Sequence, residues 1–420
     1  MRRRLVLCLA AALPLAADEA GGDPWAALAP RQAELVFAAP AATGTAGTFG
    51  HVLLRLRGAG GEVAVLYAAE PASYAEDPPW ELLWKGLSGG YAASVQVTPW
   101  AVELAGFRDQ EGRSLWLYPL RLGDAEFSAL LREIVARQGE QRPYHLLADN
   151  CAAGIVRLLD AAAPQRGLAA RVGRWPSPAG VVRAAVASGL IDREGGERIA
   201  GPVSRRDDAR RLAPPARLGL AFGWADERVC GELQGRLLWA GLDDPASGSP
   251  PGDELRALDL ALRWSEGGEL AVPRATLLAV QAASQEPRRP LGPAWRGELG
   301  HRRSGDDDQA QLLLAGGGSW AAHGALSLWA LALADGRLID DAQHGALALG
   351  GELGGHAVLG DGALWARLQR RRWWSAPRTW TSSVEGGLAW SWSPPWSLAA
   401  SASWTSAEGR TLLFALRWHF

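Results

Sequence analysis

The chain has 420 residues, of which 48% are hydrophobic and 21% charged, with a formal net charge of −2. This excludes a disordered chain and leaves room for two or three folded domains with a sizeable core. The near-neutral balance also gives no basis for binding nucleic acid.

The first residues, MRRRLVLCLAAALPLAADE, place three arginines before an apolar run from Leu5 to Ala17, with Ala16 and Ala17 ahead of Asp18. This reads as a signal peptide over residues 1–17, cut near Ala17. The run is shorter than the roughly 20 residues of a membrane-spanning helix, and no later segment reaches that length. Cleavage leaves 40 basic and 45 acidic groups, a net charge near −5, and removes Cys8. An exported chain with Cys151 and Cys230 remaining can pair them as a disulfide.

Residues 18–200 mix strand and helix signals, an α+β domain. HVLLRLR (His51 to Arg57) alternates, GAGG turns, and EVAVLYA (Glu62 to Ala68) alternates again, the pattern of a hairpin. Ser114 to Leu122 is a further strand candidate. Asp124 is placed as N-cap of a helix through Gln138, with Phe127, Leu130, Leu131, Ile134 and Val135 at helical spacing. YHLLADNCAAGIVRLL sets Cys151 at the start of another helix, with Asn150 or Asp149 as its cap. A last helix starts at Ser177 with Pro178 in its first turn and ends by Gly189.

Residues 201–215, rich in Arg and Asp with a Pro pair, read as a linker. Beyond it the pattern changes to short alternating segments. In LRALDLALRW the residues Leu258, Leu260, Leu262 and Trp264 oppose Ala257, Asp259, Ala261 and Arg263; in TLLFALRWHF the residues Leu412, Phe414, Leu416, Trp418 and Phe420 oppose Leu413, Ala415, Arg417 and His419. A soluble β-sandwich also alternates. However, 15 of the 21 tryptophans lie beyond residue 215 and the pattern runs to the terminal Phe420, as an all-β antiparallel transmembrane barrel requires. At roughly 17 residues per strand and turn, residues 216–420 hold about twelve strands. An even count leaves both ends of the barrel on one side, so the preceding domain stays in the periplasm of a cell whose outer membrane holds the barrel.

A thiol in the first turn of a helix meets the positive end of the macrodipole and unpaired amides, which favour the thiolate. A nucleophile also needs a base. The α+β half offers only His51 and His145, and His51, opening a strand after ATGTAGTFG, is the better placed. Tyr67 stands near it only if the hairpin slips: pairing Arg57 with Glu62 sets Ala68 opposite His51, and a slip of one sets Tyr67 there. Tyr67 is thus either an orienting group or a core tyrosine, and Asn150 either an oxyanion donor or a cap. In VCGELQGRLLW, Val229, Leu233, Leu237 and Trp239 share one parity, so Cys230 faces the barrel interior with Glu232, Gln234 and Arg236 and is poorly placed to reach Cys151. Cys151 is expected to be free. The segment Pro78 to Tyr91, PPWELLWKGLSGGY, reads equally as the lining of an acyl site or as buried packing. The scattered histidines and cysteines have no metal-ligand spacing, and no glycine-rich stretch has phosphate-loop flanks, so neither metal nor cofactor is expected.

Phe49, Gly50, His51, Leu54 with Arg55, then LYAAE, KGLSGGY, and Asn150 with Cys151 resemble the N-terminal periplasmic domain of the Lnb family, bacterial proteins linked to lipoprotein N-acylation. The resemblance covers roughly residues 30 to 190. Gly86, Gly89, Gly90 and Tyr91 match the family's Gly-rich element, and Gly112, Arg113, Trp116 and Tyr118 its Arg followed by an aromatic strand. A His preceding a helix-opening Cys is also similar to the permuted papain-like arrangement of the NlpC/P60 and lecithin:retinol acyltransferase group. The likeness implies Cys151 as nucleophile, His51 as base, and a lipid or lipoprotein acyl group as substrate. The Lnb acyltransferases carry membrane helices after this domain, where the present chain has strands; only the class of chemistry carries over. A cysteine peptidase on cell-wall peptides, and a non-enzymatic barrel with a periplasmic binding domain, are the alternatives.

Overall fold

The computed structural model describes residues 24–40, 50–70, 77, 79–201, 208–210, 212, 214–238, 241–244, 250–283, 291–304, 307–322, 325–339, 345–374, 379–393, 395–406 and 409–420. The signal-peptide reading, Phe49, Pro78, Trp239 and much of the linker fall outside them. The described residues up to Arg210 form one unit and those from Leu212 a second.

In the first unit a seven-stranded sheet has the order β6-β4-β3-β2-β1-β5-β7. The strands are β1 (Pro30–Ala38), β2 (His51–Gly58), β3 (Gly61–Ala69), β4 (Tyr91–Pro99), β5 (Leu115–Pro119), β6 (Arg142–Tyr144) and β7 (Glu197–Ile199). Helices α1 (Pro24–Leu28), α2 (Pro79–Ser88), α3 (Trp100–Leu104), α4 (Asp124–Arg137), α5 (Cys151–Ala162), α6 (Leu168–Val172) and α7 (Pro178–Ala187) accompany it, with a π-helical turn, Ala105–Gln110, extending α3. The predicted hairpin is β2–β3, and Arg57 pairs with Glu62. Because alternate residues face opposite sides, Leu53 of β2 and Ala64 and Leu66 of β3 form one core with Phe107 and Trp100. Tyr67 faces the other side. There α5 packs, and Gly154 lets it approach: a Cβ on Gly154 would stand 2.2 Å from Cβ and Cγ of Tyr67. Gly154→Ala is therefore expected to destabilise this unit by about 1–3 kcal/mol or more, read as a lower urea midpoint in pulse proteolysis of the full chain.

Three boundaries differ from the sequence reading. Asp124 is the first helical residue of α4, not its cap; Gly123 takes the cap position and its N–H donates to the Glu126 carboxylate at 2.9 Å. The strand predicted over Ser114 to Leu122 is only Leu115–Pro119, since Pro119 has no N–H to continue a ladder. Within the predicted linker, Asp208 is buried and accepts a hydrogen bond from the Tyr118 hydroxyl at 2.9 Å, so this part belongs to the first unit. For α7, Ser177 caps as predicted, its Oγ accepting from the Gly180 N–H at 3.1 Å.

The second unit is a closed barrel of twelve antiparallel strands: β8 (Arg217–Ala225), β9 (Arg228–Leu238), β10 (Glu254–Ser265), β11 (Leu270–Ala282), β12 (Leu291–Ser304), β13 (Asp307–Ala322), β14 (Leu326–Ile339), β15 (Gly345–Leu359), β16 (Gly362–Trp373), β17 (Trp380–Ser393), β18 (Trp396–Thr405) and β19 (Gly409–His419). Its burial is the inverse of a soluble protein's. Leu412, Phe414, Leu416 and Trp418 are exposed while Leu413, Ala415, Arg417 and His419 are buried; likewise Leu258, Leu260 and Trp264 are exposed and Ala257, Asp259 and Ala261 buried. Such an exterior is stable only in hydrocarbon, and closure leaves no strand edge without partners there. No helix among the described residues is long and apolar enough to cross a membrane.

Charges inside are matched. Arg236, fully buried, meets Asp259 at 3.1 Å, Asp243 at 3.2 Å, and Asp244, while Arg217 and Arg417 reach Asp243 at 2.9 and 2.8 Å. Glu352 accepts from Arg296, Trp329 and Gln369 at 2.8, 2.7 and 2.6 Å. Unpaired, each of these ions would cost several kcal/mol in such surroundings.

Candidate active site

The cap of α5 is Asn150, whose Oδ1 accepts from the Ala153 N–H at 3.1 Å, while its Nδ2 donates to the Leu146 and Pro176 carbonyls, both at 2.9 Å. Asp149 instead pairs with Arg157 at 2.6 Å. With both ends of its amide engaged, Asn150 fixes the turn that presents Cys151. Asn150→Ala is expected to cost about 2–4 kcal/mol, from the lost cap and two orphaned carbonyls, read by urea-dependent pulse proteolysis.

Cys151 and Cys230 are both free, and Cys230 lies on the buried parity of β9 with Glu232, Gln234 and Arg236. The Cys151 side chain is only 6% exposed. The pairing of β2 with β3 runs from Gly58 and Gly61 only as far as Leu54 and Val65. Beyond it the Val52 N–H points at the Cys151 sulfur, as do the amides of Ala152 and of Cys151 itself. The thiol is thereby brought to the residue next to His51.

His51 is half-buried and its ring stacks on Phe107, with centroids 5.6 Å apart. Its Nε2 is buried and, among the described residues, has no hydrogen-bond partner, the Cys151 thiol included. Arg113, buried, sets its guanidinium 5.3 Å over the other partner of that stack, Phe107, and its charge reaches both His51 and Cys151. Burial, then Arg113, lowers the imidazole pKa to about 3. Burial raises the thiol to about 11 against the opposing pull of the amides and Arg113. This corrects the expectation of a ready thiolate: the helix terminus acts in the predicted direction, but loss of hydration outweighs it. Thiol and imidazole are both neutral at pH 7.

Tyr67 does not orient His51. It lies on the α5 side of the sheet, stacks on Tyr144 at 6.5 Å and carries the Arg157 guanidinium 4.8 Å over its ring. Burial first, then the Asp149 carboxylate, raise its hydroxyl pKa. His145 packs its ring against Gly89. In the segment from Pro78 to Tyr91, α2 is a surface helix with Trp84 71% exposed, neither of the two roles expected for it. The Gly86 carbonyl accepts from the Leu146 N–H at 2.7 Å, tying α2 to the turn that Asn150 holds. Sequence reasoning missed Phe107 and gave Arg113 no role. No group of side chains suited to a metal occurs among the described residues.

Residues 23–188 match the family described as the Lnb N-terminal periplasmic domain, and residues 214–420 match a domain of unknown function (DUF7840). No curated protein matches the chain. Among solved structures, a loop-deleted OmpT, an outer-membrane protein of Vibrio cholerae, aligns over 49% of this chain and 97% of its own at 7% identity and a TM-score of 0.27. KdgM porin aligns over 49% and 99% at 11% identity and 0.29. An outer-membrane channel from Pseudomonas putida F1 aligns over 50% and 97% at 12% identity and 0.30. Likenesses of this degree add nothing to a barrel already traced strand by strand. Residues 23–188 thus match the model of the Lnb N-terminal periplasmic domain, lie in the periplasm, and are followed by a twelve-stranded barrel in the outer membrane.

Proposed function

We propose that the periplasmic unit is a thiol-dependent acyltransferase or hydrolase acting on acyl groups of lipid or lipoprotein, with Cys151 as nucleophile and His51 as base. The observation that supports this reading is a buried thiol met by three backbone amides, one of them that of Val52, the neighbour of a neutral His51 whose buried Nε2 has no partner among the described residues. A neutral imidazole can accept a proton; an imidazolium cannot. Substrate binding draws the pair into hydrogen-bond range, as happens in many enzymes whose free forms hold their catalytic groups apart.

The sulfur attacks the acyl carbonyl carbon as its proton passes to Nε2. The amides of Val52, Ala152 and Cys151 steady the negative charge on sulfur or oxygen, and the Arg113 charge favours the same sign. Collapse expels an alcohol or amine, which takes the proton from His51 and leaves a thioester on Cys151. Water or an amine, deprotonated by His51, then releases the acyl group. The near-complete burial of Cys151 favours an apolar acyl chain over a hydrated peptide. Incubation of the full chain with p-nitrophenyl decanoate tests the reading: intact-mass measurement should find one decanoyl group on Cys151, and an unmodified Cys151 peptide under rapid acid quench would count against it.

A further inference from the structure

The outer face of β16 carries charge where its neighbours β15 and β17 carry none. Leu364 and Leu368 face outward, Arg367, Gln369 and Arg371 inward, and the outward parity continues to Arg370 and Arg372, both exposed. Arg370 pairs in register with Gly351 and Ser382, and Arg372 with Leu349 and Trp380. Their guanidinium carbons lie 4.8 and 5.9 Å from the centroid of the Trp380 ring. Among the described residues neither has a carboxylate partner, whereas on β12 the outward His301 and Arg303 are matched, with Asp308 at 3.0 Å and Glu269 at 3.5 Å.

β16 is the ninth of twelve strands and runs in the sense of β8, which starts at the periplasmic mouth of the barrel, where the chain enters it. Arg370 and Arg372 therefore lie toward the outer leaflet. Below them the lipid-facing surface is Leu353, Leu368 and Val384. Arginine on a barrel's lipid face is costly at the bilayer centre and nearly free at its interface, and a tryptophan beside it belongs at headgroup depth. Two guanidinium groups two residues apart on one strand, about 7 Å along it, suit phosphate oxygens, which they can hold through paired N–H donors.

We propose that Arg370, Arg372 and Trp380 bind the phosphorylated headgroup of an outer-leaflet glycolipid, whose acyl chains lie on Leu353, Leu368 and Val384. The test compares the full chain with the R370Q/R372Q double variant, each refolded in detergent with diphosphorylated lipid A and examined by native mass spectrometry. Heat-modifiable migration on gels confirms that both barrels are closed. The expected result is at least a tenfold loss of bound lipid A in the double variant, no loss in R303Q, and weak binding of dephosphorylated lipid A by the wild type. Equal retention by the double variant would overturn the proposal. Equal binding of the dephosphorylated lipid would also overturn it, as would complete displacement of lipid A by millimolar inorganic phosphate, which would make this a site for a free anion.

Discussion

Cys151→Ser is expected to lower turnover of p-nitrophenyl decanoate by 10³-fold or more, and His51→Gln by on the order of 10²- to 10⁴-fold, the usual worth of a nucleophile's base. The pH profile carries more information than the losses. A reaction that starts from neutral thiol and neutral imidazole requires His51 above its pKa of about 3 and Cys151 below its pKa of about 11. Between these limits kcat/KM should be flat, with the acid limb near pH 3 to 4 and the alkaline limb above pH 10. Simple alkylation follows the thiolate instead. In a Cys230→Ser background, iodoacetamide should label Cys151 slowly at pH 7 and about tenfold faster per pH unit until near pH 11. A ready ion pair would reverse both results, giving fast labelling at neutral pH and a bell confined to the ordinary range of the two groups. Arg113→Gln should slow turnover about tenfold by removing the charge that favours the anionic state, and Tyr67→Phe should leave it unchanged, since Tyr67 faces away from the Phe107 side of the sheet.

The parts of this molecule that were legible in the sequence are those governed by local periodicity. In TLLFALRWHF the period of two assigns Phe414 outward and Arg417 inward before any strand is placed, and the charges then identify the wet side. The start of α5 was legible for the same reason: a capping residue, a break, and a stripe of apolar residues lie within sixteen positions. The β2–β3 register followed from the turn, which is why Tyr67 could be set against His51 only by a slip that the GAGG turn does not make.

What the sequence hid is tertiary. Phe107 and Arg113 come from the π-helical turn and the loop after it, more than fifty positions from His51, and meet it only because β5 and β2 both pair with β1. The protonation of Cys151 was misjudged on the same ground. Its helix terminus is local and visible, whereas the enclosing apolar surroundings that dominate its pKa come from β2 and from α5 itself once packed. A third departure is α2, whose apolar composition suggested an interior role; the structure spends it on the surface, with Trp84 outward and its backbone tied to Leu146.

The buried imidazole should also make the periplasmic unit acid-labile in a way that one substitution removes. An exposed histidine titrates near 6.5, and His51 in the folded unit near 3. Between these values the unfolded chain holds a proton that the folded unit does not, so stability present in full above pH 6.5 declines as the pH falls toward 3, by up to ~1.4 kcal/mol per unit and on the order of 4–5 kcal/mol in all. Other groups contribute in acid as well: Glu62, Glu126 and Asp208 have carboxyl pKa values held below the ordinary range by their arginine partners and amides, so the comparison must be between variants over one pH range. Pulse proteolysis of the full chain in urea at pH 7, 6, 5 and 4 should show a steep loss for the wild type. His51→Leu, which fills much of the same apolar space against Phe107 without a titrating group, should show a loss shallower by about one kcal/mol per pH unit. At alkaline pH the dependence passes first to Cys151, whose folded pKa is raised: stability should fall as the pH climbs above 9, and Cys151→Ala should remove the fall between pH 9 and 10, above which Tyr67 and Tyr118, whose hydroxyl pKa values are raised as well, add their own. Parallel acid curves for wild type and His51→Leu would mean that the imidazole is hydrated and charged in solution, and the neutral pair on which the proposed chemistry depends would be lost with it.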